Sequence, residues 1–378
     1  MNQVAAAVTI ALALVAGWVV PALAVHALVR TLADGPLLVR NYTGRRIPPV
    51  LGLAWLVWAI ALLGVQVLLD VTVESGWGLG AAGAVIERIA TTPLALPVYV
   101  SPLILVAGCV ALGMADDAFG GNGPKGFRGH LGALRHGRLT TGMLKMLGIG
   151  VLAVFYAASA APGVLGKSDP AGTQLAGAGW FVLAWALAAL VIALAANLMN
   201  LLDLRPGRAL KAYMLALPAP AVLFALASVG TYNTDVASYA AEIADLVLQP
   251  AEAAAAAVAL VIVLLGPAVA VWSADLGERA MLGDAGANTM GAIVGYLLTA
   301  VLDLGGLAIA AAVLLALNVL SERVSFSAAI DQIAPLRLFD RLGRLPEGRI
   351  TPEVAGDSTP PPPDVRYHSD EEPVTEED

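Results

Sequence analysis

Charge is scarce in this sequence. Only 13% of its 378 residues are Asp, Glu, Lys or Arg, about half the roughly 25% of a soluble globular chain. Since 58% of the residues are hydrophobic and the mean hydropathy is +0.79, that scarcity excludes a soluble enzyme, a disordered chain and a nucleic-acid-binding module. Cysteine is almost absent. Cys109 alone builds neither a disulfide framework nor a cysteine metal site within one chain, and in its apolar run it reads as a packing residue. No repeat of fixed period runs along the chain.

What the sequence has instead is a series of long apolar runs. Nine stretches reach or approach the length that crosses about 30 Å of hydrocarbon: 4–29, 50–69, 95–114, 143–162, 178–200, 210–230, 253–273, 287–302 and 304–320. All are rich in Ala, Leu and Val, and backbone satisfaction in lipid makes helices of them. The expected fold is all-α and polytopic, with a very tight Asp303-Leu304-Gly305-Gly306 link between the last two helices. The first run has a signal-like Ala-Leu-Ala at 22–24. It carries no Lys or Arg before Arg30 and is too long for a signal peptide, so it reads as a membrane helix.

The few charges are segregated. Connections at 30–49, 115–145, 203–211, 274–286 and 321–350 hold 18 Lys and Arg, and the alternate connections hold only Arg88 and Lys167. By the positive-inside rule the N-terminus lies outside and the five basic connections face the cytoplasm. The formal charge of −8 sits almost wholly in residues 351–378, which carry nine acidic residues, six prolines and one arginine. That composition reads as a disordered tail suited to a basic partner. The expected organisation is a membrane domain over 1–320, an amphipathic segment lying on the membrane over 321–345, and the acidic Pro-rich tail over 346–378.

The residues with chemistry cluster at the expected cytoplasmic ends. The third helix ends in Gly113-Met114-Ala115-Asp116-Asp117, and the fifth in Asn197-Leu198-Met199-Asn200-Leu201-Leu202-Asp203. Carboxylates at a helix C-terminus oppose the macrodipole, and adjacent Asp116 and Asp117 repel each other. A lone Asp there marks the water boundary; a pair plus a third argues for a bound hard cation such as Mg²⁺. Asp284, in Gly283-Asp284-Ala285-Gly286 before the eighth helix, suits either an N-cap or a ligand-binding position, where flanking glycines admit close approach.

Between the Asp pair and the fourth helix, the glycine-rich run from Gly120 to His130 carries Lys125 and Arg128. Exposed amides with two cations suit a phosphate or pyrophosphate; the alternative is a basic topogenic loop. His130 suits phosphate or backbone hydrogen bonding, or general acid–base work. The first basic connection, Asn41 to Pro49, suits an anionic substrate or lipid headgroups equally.

The ordered set Gly-x-x-Asp116-Asp117, Asn197-x-x-Asn200-x-x-Asp203 and Gly283-Asp284-Ala285-Gly286 resembles the polyprenyl-phosphate N-acetylhexosamine-1-phosphate transferases. Pro48-Pro49 is similar to that family's Pro/Gly loop after the first helix. The resemblance spans residues 1–320 and implies Mg²⁺-dependent transfer of a sugar-1-phosphate from a UDP-sugar to a polyprenyl phosphate, releasing UMP, at the cytoplasmic face of the plasma membrane. It implies that Asp116 and Asp117 handle the lipid phosphate and the metal, and that Asp284 ligates Mg²⁺. Asn197, Asn200 and Asp203, with Lys125, Arg128 and His130, would bind substrate, and a homodimer is the implied assembly. The chain departs from the family pattern in having Pro206 at an acidic position, no His in 321–344, and no tenth helix. A non-catalytic lipid-phosphate scaffold or flippase is the competing expectation.

Overall fold

The computed structural model of the chain describes residues 3–33, 38–74, 100–120, 126–169, 174–175, 177–230 and 250–344. The expected acidic tail, residues 75–99 with the first five of the expected 95–114 run, residues 231–249 and Lys125 lie outside them. Among the described residues, every expected apolar run falls on a helix. In chain order these are α1 (Gln3–Leu14) and α2 (Val20–Leu32), joined by a π-helical turn at Val15–Val19, then α3 (Leu53–Glu74), α4 (Val100–Phe119), the short α5 (Gly126–Arg135), α6 (Thr141–Ser168) and α7 (Ala178–Leu202). There follow α8 (Arg208–Ala216), α9 (Pro218–Gly230), α10 (Pro250–Leu276), α11 (Gly283–Val301), α12 (Leu304–Ser321), α13 (Phe326–Gln332) and α14 (Ala334–Arg341). The first connection forms a small antiparallel ladder, β1 (Val39–Arg40) with β2 (Arg46–Ile47).

Among the described residues, seven helices are long and apolar enough to cross a membrane. The chain is therefore mostly helical and multi-pass. Of the nine expected spans, the second falls on α3, a 22-residue helix over Leu53–Glu74 whose Leu53–Leu68 part is apolar. The eighth, α11, is less apolar than those seven for a physical reason. It is wrapped by protein, so Asn288, Thr289 and Thr299 can be buried within it without facing lipid.

Small residues make this wrapping possible. A Cβ on Gly291 would collide with the backbone of Ala195 and Ala196, and one on Gly295 with Ile192. α7 and α11 therefore approach backbone to backbone, as small-residue helix pairs do in membranes. The Gly17–Gly266 crossing brings the π turn equally close to α10. The glycine and alanine richness is thus used within the chain. Pro21, two residues after Val19, accounts for the π turn, because its ring excludes the Gly17 carbonyl four residues back. Pro218 places a similar bend between α8 and α9, yet the Leu217 and Ala221 amides keep the ladder running across it.

One expectation about helix ends changes and one holds. The eighth helix begins at Gly283, a turn earlier than the apolar run, so Asp284 lies in its first turn and is not the N-cap. The Asp303 link holds: its carboxylate caps α12 by accepting from the Gly306 amide at 2.8 Å.

Candidate functional site

The five basic connections meet at one end of the bundle. The Met281 amide donates to the Pro48 carbonyl at 3.0 Å, and Asn41 Nδ2 donates to Glu278 at 2.8 Å. The Arg205 guanidinium lies 4.5 Å over the Tyr42 ring. This end therefore assembles from segments far apart in sequence, and the acidic residues gather there.

Asp117 sits in the last turn of α4, and its carboxylate accepts the Asp284 amide at 3.1 Å and the Ala285 amide at 3.4 Å. It thus caps α11 from another helix, the role the sequence suggested for Asp284. An anion at a helix N-terminus is favoured by the exposed amides and the macrodipole. The close approach depends on Gly283, whose φ of +66° suits glycine and where a Cβ would crowd the Asp117 carboxylate. Gly113 and Gly52 admit Ala285 and Gly286 in the same way.

Freed from capping, the Asp284 side chain turns to Lys145. The Lys145 ammonium is within 2.7 Å of Asp116 Oδ2 and also bonds Asp284 Oδ2. Lys145 is only 8% exposed, so the ion triad is largely shielded from water. Sequence reasoning counted Lys145 as a loop cation. It lies one turn inside α6, and a single lysine within the apolar run Met143-Leu144-Lys145-Met146-Leu147 was the available signal.

Asp203, at the C-cap of α7, faces the charges of Asp275, Asp284, Asp117 and Arg208. Burial raises its carboxyl well above the usual carboxylate range, and the three neighbouring aspartates raise it further. Asp275, another residue missed in the sequence, is buried and accepts the Gly207 amide at 2.6 Å, which pins the turn after Asp203. Gly207 itself holds φ +73° at the start of α8.

Asn197 and Asn200 face a cleft of about 440 Å³ together with Lys145, Asn288, Asn318 and Glu322. Asn197 is engaged there, donating to Asn318 Oδ1 at 2.6 Å, and Asn318 in turn donates to the carbonyls of Leu194 and Leu314. Asn318 thereby ties α12 to α7. The glycine-rich run is not all loop, because residues from Gly126 onward form α5. Lys125 lies outside the described residues, and only the helical backbone of Arg128 and His130 is described.

A third ionic assembly closes this end. Asp340 of α14 is 5% exposed and accepts Arg208 Nε at 2.8 Å and Nη2 at 3.1 Å, with Arg344 Nη2 at 2.6 Å. Lys211 donates to the carbonyls of Phe339 and Asp340, satisfying free carbonyls of the last turn of α14. Arg208 also reaches Ser327 Oγ of α13 at 2.7 Å. Burial alone would raise the Asp340 carboxyl, but the hydrogen bond from Arg208 and the charges of Arg208, Arg344 and Lys211 hold it below the ordinary value. The segment after α12 is thus clamped onto the loop that follows Asp203.

Among the described residues no three His, Cys, Asp or Glu side chains are disposed to hold a metal ion. Asp116 and Asp284 are drawn together by Lys145 instead. The donors are nevertheless hard oxygens. Asp116, Asp117, Asp203, Asp275 and Asp284 also outnumber the cations that act on them, Lys145, Arg208 and Arg344. Hard oxygens and surplus negative charge are what a divalent cation prefers, although the side chains as they stand do not converge as ligands.

No protein-family model matches this chain, and a search of curated proteins returns no match. Fold and site define a class: a multi-pass helical membrane protein with a buried Asp–Lys cluster at one end of its bundle.

Proposed function

We propose that the chain transfers a sugar-1-phosphate from a UDP-sugar to a polyprenyl phosphate at the cytoplasmic face of the plasma membrane, in cell-envelope glycan synthesis. The observation that carries this reading is the convergence of Asp116, Asp117, Lys145 and Asp284 from three helices, with Asp203 beside them. In the reaction an oxygen of the lipid phosphate forms a bond to the β-phosphorus of the donor. The bond from that phosphorus to the bridging oxygen breaks, and the electron pair leaves with UMP. Both reactants are anions, so a protein accelerates the step by positioning them and compensating their charge.

Lys145 supplies positive charge at the point where Asp116 and Asp284 meet, and exchanging one carboxylate for a phosphate oxygen would keep its pairing intact. Asp116 and Asp117 orient the lipid phosphate. Asp117 and Asp284 would hold Mg²⁺, which when bound offsets charge on the diphosphate. The carboxamides of Asn197 and Asn200, on the cleft that also holds Lys145, suit the hydroxyl and amide groups of a sugar. Lys125, Arg128 and His130 would add donors for the pyrophosphate from the run that follows α4.

One observation favours a second reading, a non-catalytic lipid-phosphate binder or flippase. Lys145 bridges two of the three carboxylates, and no three-ligand metal set stands among the described residues. The two readings separate in an assay of purified protein with undecaprenyl phosphate, Mg²⁺ and a panel of nucleotide sugars, scored by UMP formation. UMP with any donor supports the transferase. Binding of the lipid phosphate with no UMP across the panel supports the binder.

A further inference from the structure

We infer that α13 and α14 form a strap that docks on the anionic surface of the bilayer leaflet beside the acidic end of the bundle. The inference does not depend on the reaction proposed above. One side of the strap is held by protein, through Asp340 to Arg208 and Arg344, and through the Phe339 and Asp340 carbonyls to Lys211. The other side is apolar and open. Leu338 is 73% exposed and Leu342 64%. Leu338 and Leu342 are four residues apart and share a helix face. Exposed Arg341 and half-exposed Arg337 lie next to that face.

Two observations select the occupant. The strap leaves α12 at Ser321, and α12 is a candidate span whose Ile309, Val313, Val319 and Leu320 are exposed. This lipid-facing surface continues along the chain through exposed Val324 to Ile333, so the strap starts at the edge of the bilayer. Charge makes the second selection. The carboxylates of the segment are Glu322, Asp331 and Asp340; Asp340 is neutralised in its clamp, and the other two lie before α14. The open face of α14 therefore presents Arg337 and Arg341 with no free carboxylate of its own. A second copy meeting this face across a two-fold axis would set those arginines against themselves. Anionic headgroups complement them, while Leu338 and Leu342 enter the apolar boundary, as interfacial helices do.

The test uses the full chain with Cys109→Ala and single nitroxide-labelled cysteines at 338, 341 or 342, reconstituted in phosphatidylcholine vesicles with or without phosphatidylglycerol. With phosphatidylglycerol, labels at 338 and 342 should be relaxed by oxygen and shielded from a water-soluble nickel chelate; the label at 341 should show the reverse. Omitting phosphatidylglycerol, or combining Arg341→Gln with Arg337→Gln, should return the label at 338 toward water. Each arginine removed should lower the docked-to-free ratio about fivefold. A label at 338 that stays open to the chelate in phosphatidylglycerol vesicles overturns the inference. So does shielding that ignores phosphatidylglycerol, or that grows with protein density as contact with a second copy would.

Discussion

Replacing Lys145 with methionine removes one cation that serves two buried carboxylates. The ammonium lies 2.7 Å from Asp116 and bonds Asp284, with side-chain exposures of 10% for the lysine and 14% and 25% for the two aspartates. Removing one partner of a buried ion pair costs about 3–5 kcal/mol, because the remaining charge is left uncompensated. Two carboxylates are stranded here, and Asp117 adds a third negative group nearby, so the upper part of that range is expected. A domain of 150–250 residues loses about 2–4 °C per kcal/mol, which puts the drop at roughly 10–20 °C, somewhat less for a longer chain. The assay is thermal loss of the monodisperse protein in detergent, followed by fluorescence-detected size exclusion. Adding Asp116→Asn to Lys145→Met should recover part of the loss, since one stranded charge is gone. Wild-type melting of Lys145→Met, or no recovery in the double variant, would refute the buried triad.

Asp340→Asn should free the strap, leaving Arg208 and Arg344 partly unpaired; amide exchange across 334–344 should quicken by at least tenfold while α7 and α11 keep their protection. The same contact gives a pH dependence. The Asp340 carboxyl is held below the ordinary value, so its contribution to strap docking is complete above that value and fades as pH falls through the lowered one. Protection of 334–344, taken relative to the intrinsic exchange rate at each pH, should therefore be level from pH 5 to 8, by the ordinary carboxylate range, and fall only in stronger acid. Gly291→Val drives a side chain into the Ala195 and Ala196 backbone; it should cost at least about 1–3 kcal/mol, read as a lower melting temperature, whereas Gly132→Ala, at a site with open space around it, should melt near wild type.

The helices were legible because hydrophobic length is a local signal, and among the described residues each of the nine runs falls on a helix. The gathering of Asp116, Asp117, Asp203 and Asp284 at one end was legible as well, since alternating helix direction and the positive-inside count put them on the same side. Pairing was not legible. Lys145 meets Asp284 from 139 positions away, and Arg208 meets Asp340 from 132; no periodicity encodes such contacts. The exchange of roles between Asp117 and Asp284 has the same origin. A short polar residue before an apolar helix normally caps it locally, and only the close approach of α4, allowed by Gly113 and Gly283, lets a carboxylate from elsewhere take that place. Asp275 was hidden for another reason: it closes the apolar run of α10, where a lone aspartate reads as the water boundary.

In the proposed reaction, Asp117 and Asp284 belong to one site that acts on phosphorylated substrates. Mg²⁺-dependent UMP release by purified Asp117→Asn and Asp284→Asn, measured beside the wild type at equal membrane insertion, tests it most directly. The account predicts release by the wild type and a loss of at least a hundredfold in each variant. Turnover in both variants equal to that of the wild type would contradict it.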